Sequence, residues 1–310
     1  MSEPSSVLPA RRQEPISIAC LRIIQTHLDR LRELEGDARI GADPESIHKL
    51  RVAVRRLRSA LRLLRPYYSA QKLQQLREPL DLVAAPLGEV RDLDVAMEPL
   101  RAYLNTLPEE RRRALDPLVW AWTQRRRLAQ RSVTEFLDHP DYRRGLDQLR
   151  SFARVDATAR GGRMCDSLPA VIWTHYGAVR RFEPSMQDAP LLVLHELRIE
   201  VKRLRYLLEF FEDILEGGVS GLVKQLADFQ GKLGDLHDAG TRGDLVAGYV
   251  AAQIQQLPSA ADGPLAHEAA LYRESVARDI ESLRQECLEP WATVCGQKFR
   301  TGLGKVAASL

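Results

Sequence analysis

The chain is poor in cysteine and aromatic residues and has no long apolar run, and each shortage excludes something. Its four cysteines, Cys20, Cys165, Cys287 and Cys295, are scattered over 310 residues. None forms a Cys-x-x-Cys pair, so zinc ribbons and dithiol redox motifs are excluded. Isolated thiols in a chain of this size suit a reducing setting, and a cytoplasmic location is expected. No apolar stretch approaches the roughly 18 residues of a membrane-spanning helix. The first 15 residues contain Pro and Ser but no apolar signal core, so this tail is expected to be disordered rather than a secretory leader. Gly-x-Ser-x-Gly, the P-loop, the Gly-rich dinucleotide turn and His-Glu-x-x-His are all missing, which leaves nucleophilic, nucleotide-dependent and zinc-hydrolase chemistry without a motif. Sustained alternation of β-branched residues is also missing, so an all-α fold is expected.

Charge is plentiful but unevenly placed. The formal balance is only +3. Residues 1–163 hold 30 Lys and Arg against 22 Asp and Glu, and residues 164–310 hold 15 against 20. The first half is therefore basic, and most of its cations are arginines, which grip phosphate oxygens through a planar fork and keep their charge.

The organising feature is a repeat. Ile47–Tyr68 reads IHKLRVAVRRLRSALRLLRPYY, and Leu194–Leu215 reads LHELRIEVKRLRYLLEFFEDIL. They align without a gap, setting His48 on His195, Arg51 on Arg198, Arg55 on Lys202, Arg56 on Arg203 and Arg58 on Arg205. At about 100° per residue, Leu50, Val54, Leu57, Leu61 and Leu64 form one apolar stripe, as do Leu197, Val201, Leu204, Leu208 and Phe211. Beside the first stripe run His48, Arg51, Arg55, Arg58 and Arg62. Beside the second run His195, Arg198, Lys202 and Arg205, with Glu209 where the first copy has Arg62. Like charges at i,i+4 repel by a few tenths of a kcal/mol, and a row of them is tolerable if an external polyanion neutralises it. Arg56 and Arg203 lie on another helix face and are placed to meet neighbouring helices.

Around these copies the pattern is helical. A first helix is expected from Ile16 to about Glu35, with Gly36 and Gly41 marking its exit. Asp43-Pro44-Glu45 is a helix start, with Asp as N-cap and Pro in the first turn. Ala70 to about Leu104 is helical, with Pro79, Pro86 and Pro99 expected to kink or interrupt it. Glu109–Leu137 is expected to be one long helix and Tyr142–Ala159 another. The Arg111–Arg113 and Arg125–Arg127 triplets are expected to be mostly solvated. Gly161-Gly162 is the best boundary. Beyond it the order repeats through Leu168–Phe182, Leu191–Leu215, Leu222–Val250, Ala266–Leu288 and Trp291–Leu303.

These residues resemble the CHAD family of α-helical domains, whose motif is His-x-x-Arg-x-x-x-Arg-Arg-x-Arg once in each half. The first half supplies His48, Arg51, Arg55, Arg56 and Arg58, and the second His195, Arg198, Lys202, Arg203 and Arg205. A second family motif, Leu-Gly followed by Arg-Asp or Asn-Asp, is similar to Leu87-Gly88-Glu89-Val90-Arg91-Asp92 and Leu233-Gly234-Asp235-Leu236-His237-Asp238, with His237 in the place of Arg91. The resemblance runs from about residue 16 to the end. It implies two pseudo-symmetric four-helix bundles, spanning 16–163 and 164–310, with inorganic polyphosphate bound in a basic groove between them.

The expected binding set is His48, Lys49, Arg51, Arg55, Arg56, Arg58, Arg62, Arg91, His195, Arg198, Lys202, Arg203, Arg205 and His237. Arg and Lys neutralise phosphates. The histidines add contacts that strengthen on protonation, giving tighter binding near pH 6 than near pH 8. Asp92, Asp94 and Asp238 are expected to orient arginines. No catalytic residue, metal or cofactor is expected. The basic lines carry no aromatic base-stacking platform, which favours a phosphate polymer over nucleic acid and leaves weak nucleic-acid binding as the alternative. A metal-dependent phosphatase or polyphosphate hydrolase is the second alternative. Association with polyphosphate granules would follow from the ligand.

Overall fold

The computed structural model describes residues 12–41, 43–155, 161–186 and 188–310. Helix α2 (Pro44–Leu63) starts where the sequence places it. The Asp43 carboxylate accepts the Glu45 N–H at 2.9 Å, and Pro44 fills a first-turn position that needs no donor. The stripe from Leu50 to Leu64 is at most 2% exposed. Helix α8 (Leu191–Phe210) buries its own stripe equally, and Phe211 just beyond its end is buried too.

Helix α1 (Ile16–Ile40) runs past Gly36, which does not stop it, and ends at Gly41. Gly41 has φ +62°, a left-handed cap conformation that favours glycine, and a Cβ there would also displace the end of the Gln130 side chain. Helix α3 (Ala70–Asn105) is continuous, so of the kink or interruption expected at Pro79, Pro86 and Pro99 the interruption does not occur. Its buried side of Leu76, Leu80, Val83, Leu87, Val90, Leu93, Met97 and Leu100 recurs at helical spacing, and packing of that face outweighs the lost backbone bonds. Pro79 is itself packed, since a Cβ at Gly145 would meet its ring at 2.5 Å.

The single helix expected over 109–137 is divided at Leu115 into α4 (Glu109–Ala114) and α5 (Asp116–Asp138), with Pro117 in the first turn of α5. Helix α6 (Pro140–Val155) follows, and the expected extension over 156–159 lies outside the described residues. The second half comprises α7 (Met164–Arg180), α8, α9 (Val219–Gln256), α10 (Pro264–Glu286), α11 (Leu288–Cys295) and α12 (Gln297–Ala308). Gly296 divides the segment expected as one final helix. Among the described residues there is no strand, only an isolated bridge between Pro15 and Arg163. The fold is all-α.

Residues 1–11 of the expected tail lie outside the described residues. Residues 12–15 run beside the start of α7, where the Met164 N–H donates to the Glu14 carbonyl at 2.8 Å and the Cys165 N–H to that of Arg12 at 3.1 Å.

Helices of each half pack mainly among themselves: α1 on α2, α2 on α3, α3 on α5, and in the second half α7 on α8, α8 on α9, α9 on α10. Contacts between the halves join α1 to α7, α2 to α8 and α3 to α9, which are counterparts in the sequence repeat, and also α4 to α10, which are not. The halves are not sealed units, because the largest apolar core runs without a break through residues of both. A second core joins the far ends of α3 and α5 to those of α9 and α10, around Leu100, Trp122, Val246 and Tyr272.

Candidate anion-binding groove

The contact of α2 with α8 and of α3 with α9 brings the front parts of both basic rows together. Arg51 on α2 lies 3.8 Å from Asp92 on α3. Arg55 donates from Nε to the Tyr206 hydroxyl of α8 at 2.9 Å, a bond that crosses between the halves. On the other side the His195 and His237 Nδ1 atoms are 3.2 Å apart, one ring donating and the other accepting.

Electrostatics show the convergence. Burial lowers the Arg51 pKa, and its charged neighbours include Asp92, Arg55, Asp238 and Arg91. Burial also lowers that of Arg198, whose neighbours are Asp238, Arg55, Arg51 and Asp92. Each half's arginine thus senses the other half's arginine or aspartate. Lys202 is pushed down to about 7, first by burial and then by Arg55, Arg198 and Arg51. Burial raises Asp92 and Asp238 despite the arginines around them. Arg51, Arg55, Arg91, Arg198 and Lys202 therefore gather around Asp92 and Asp238, with Glu89 also near Asp92.

The histidines are held neutral. Burial and then Arg91 lower His48, burial and then Arg198 lower His195, and His237 falls to about 4 through burial, Arg198 and His195. His48 Nδ1 is buried without a hydrogen-bond partner, as is the Nε of Arg198. Both have unused capacity for an acceptor. No atom lies within 4 Å of where a Cβ would stand at Gly88, and at Gly234 only the Arg198 Nε and Nη2 come that near, at 3.9 and 4.0 Å. These glycines leave room beside the groove rather than letting helices close on each other.

The rear parts of the rows go elsewhere. Arg58 pairs with Asp81 at 2.7 Å. Arg56 donates to Glu209 at 2.6 Å and lies over the Tyr206 ring, 5.2 Å from its centre. Arg205 lies 3.4 Å from the same Glu209 and 5.1 Å over the same ring. Arg203 bonds Glu200 within its own helix. Arg62 lies near Arg203 and Arg65, away from Arg51. Lys49 is exposed.

Tyr206 occupies the repeat position of Ser59, a mismatch between the copies that is visible in the sequence. The triplet arginines are not simply solvated: Arg111 grips Glu268 through two bonds of 2.7 and 2.9 Å, and Arg126 bonds Asp94 at 2.7 Å. Asp94 therefore orients an arginine of α5 rather than one of the rows. Among the described residues no three His, Cys, Asp or Glu side chains gather as metal ligands would. Among them too, no helix is long and apolar enough to cross a membrane.

These features define a class: an all-helical chain in which two helices of related sequence bring cations together from opposite halves. The protein belongs to the CHAD domain family, whose model matches residues 22–247. Two solved structures share the fold. The CHAD domain from the plant Ricinus communis is 24% identical, with a TM-score of 0.69, covering 98% of this chain and 96% of that one. PptA from Streptomyces chartreusis is 14% identical, with a TM-score of 0.68, covering 90% of this chain and 99% of that one. No curated protein matches by sequence.

Proposed function

We propose that the protein binds inorganic polyphosphate in this groove and does so without catalysis. The supporting observation is that Arg51 and Arg198, from opposite halves, converge with Arg55, Arg91 and Lys202 around Asp92 and Asp238. A linear polyanion would neutralise the excess through charge-assisted contacts with these side chains. Asp92 and Asp238 already face arginines, which fits orientation of cations better than capture of a catalytic metal.

The test is titration of size-defined polyphosphate into the wild type and an Arg51→Glu/Arg198→Glu variant at two salt concentrations. Affinity should collapse in the variant and weaken with salt in the wild type. Equal affinity in both proteins would overturn the groove. Nucleic acid is the rival ligand, and polyphosphate should displace a labelled oligonucleotide at far lower phosphate concentration than the reverse. Phosphate release on prolonged incubation with magnesium or manganese would contradict the non-catalytic reading. The same affinity would draw the protein to cytoplasmic polyphosphate granules, and the Arg51→Glu/Arg198→Glu variant should not be drawn there.

A further inference from the structure

The two halves differ at one related pair of positions. In one, Arg56 of α2 meets Glu209 of α8 at 2.6 Å. The repeat maps Arg56 onto Arg203 and Glu209 onto Arg62, so the related place sets Arg62 beside Arg203, two guanidiniums instead of an ion pair. Both line the mouth of one hollow of about 210 Å³, together with Arg65 and His175, while the rest of its wall is largely apolar and includes Tyr206, Leu207, Phe210 and Phe211. Arg62 and Arg65 also line a second hollow, of about 500 Å³, with Arg58, Arg77 and Gln74.

The acids here are few and shared. Asp81 receives Arg58 and Arg77, each at 2.7 Å. Glu200 receives Arg203 and, at 3.8 Å, Arg181. Neither Arg62 nor Arg65 has an ion-pair partner among the described residues. Arg65 is exposed and Arg62 half-buried, so both can be reached from solvent. Such a grouping stores like-charge repulsion that an anion with several phosphoryl oxygens would relieve.

We propose that Arg62, Arg65 and Arg203, backed by Arg58 and Arg77, form a second anion site that takes a di- or triphosphate moiety. It adjoins the groove through Arg203, whose charge also reaches Lys202, but its two hollows are lined by none of Arg51, Arg55, Arg198 or Lys202. Five guanidiniums around small hollows fit a compact, multiply charged group that several forks can grip at once. A free oligophosphate and the tail of a nucleoside triphosphate share that chemistry.

The test begins from Arg51→Gln/Arg198→Gln, which weakens the groove, and follows tripolyphosphate and ATP binding by calorimetry. The background variant should bind one tripolyphosphate per chain. Adding Arg62→Glu, which copies Glu209 and lets position 62 pair with Arg203, should weaken that binding by about tenfold or more. Arg65→Gln, at an exposed position, provides a second variant should the first fold poorly, and it should weaken binding in the same direction. ATP binding as tightly as tripolyphosphate assigns the site to nucleotide tails, and weaker ATP binding assigns it to free oligophosphate. The proposal is overturned if the background variant binds no tripolyphosphate, or if neither added substitution alters the affinity. Should long polyphosphate ignore Arg51 and Arg198 while tripolyphosphate still responds to Arg62, the groove reading fails and this one stands.

Discussion

Lys202 gives the sharpest test of the groove. Burial among Arg55, Arg198 and Arg51 brings its pKa to about 7, so at pH 8 only about one free molecule in ten carries the proton. A bound polyanion stabilises the ammonium, so binding at pH 8 must be accompanied by proton uptake. Paying for that proton costs about 1.4 kcal/mol, or about tenfold in affinity, and the cost has nearly vanished at pH 6. Affinity should therefore rise about tenfold from pH 8 to pH 6, with uptake of nearly one proton at the upper end. Calorimetry in two buffers of different ionisation enthalpy measures that uptake directly. Lys202→Arg keeps the charge and removes the titration, and should flatten this part of the profile. An unchanged pH slope in Lys202→Arg, or no proton uptake at pH 8, would refute the reasoning. The histidines act lower on the scale, since His48 and His195 are lowered and His237 lies at about 4 in the empty protein. Lys202 thus adds, nearer neutral pH, to the pH dependence that the sequence assigned to them.

The same group makes a stability prediction. Its folded value lies below the lysine norm of 10.5, so folding opposes this proton. The destabilising effect is absent above that norm, grows as pH falls to about 7 and is level below. Lys202→Met should raise the melting temperature of the ligand-free protein at pH 6 while weakening polyphosphate binding, as differential scanning fluorimetry and titration will show. His237→Arg restores the residue found at Arg91, and should strengthen binding at pH 7.5 and steepen the logarithmic salt dependence by about one charge. Asp43→Ala removes the cap on the Glu45 N–H and should cost about 1 kcal/mol in urea unfolding. Leu57→Ala or Leu204→Ala, each fully buried, should cost about 2–5 kcal/mol by the same measurement.

The sequence by itself determined the helices that matter and which of their faces are apolar. Stripes such as Leu50–Leu64 and Leu197–Phe211 are set by residue spacing along one helix, and Asp43-Pro44 is a local start signal, so both could be read without neighbours. It was less reliable where a local rule competed with packing. The prolines of α3 are weak breakers in a helix whose buried face holds it together, and Leu115 ends a helix that periodicity alone would have continued. The two copies also set His48, Arg51 and Arg55 in register with His195, Arg198 and Lys202.

Tertiary structure alone decided which cations remain free. A row of arginines on one helix looks uniform in sequence, but its neutralising partners come from distant positions. Asp81 takes Arg58, Glu209 takes Arg56 and Glu268 takes Arg111. Only the crossing of α2 with α8 and of α3 with α9 brings Arg51, Arg55, Arg91, Arg198 and Lys202 within electrostatic reach of one another. The physical reason is range: helical periodicity is written within a few residues, whereas charge pairing and burial depend on groups that are close in space and far apart along the chain.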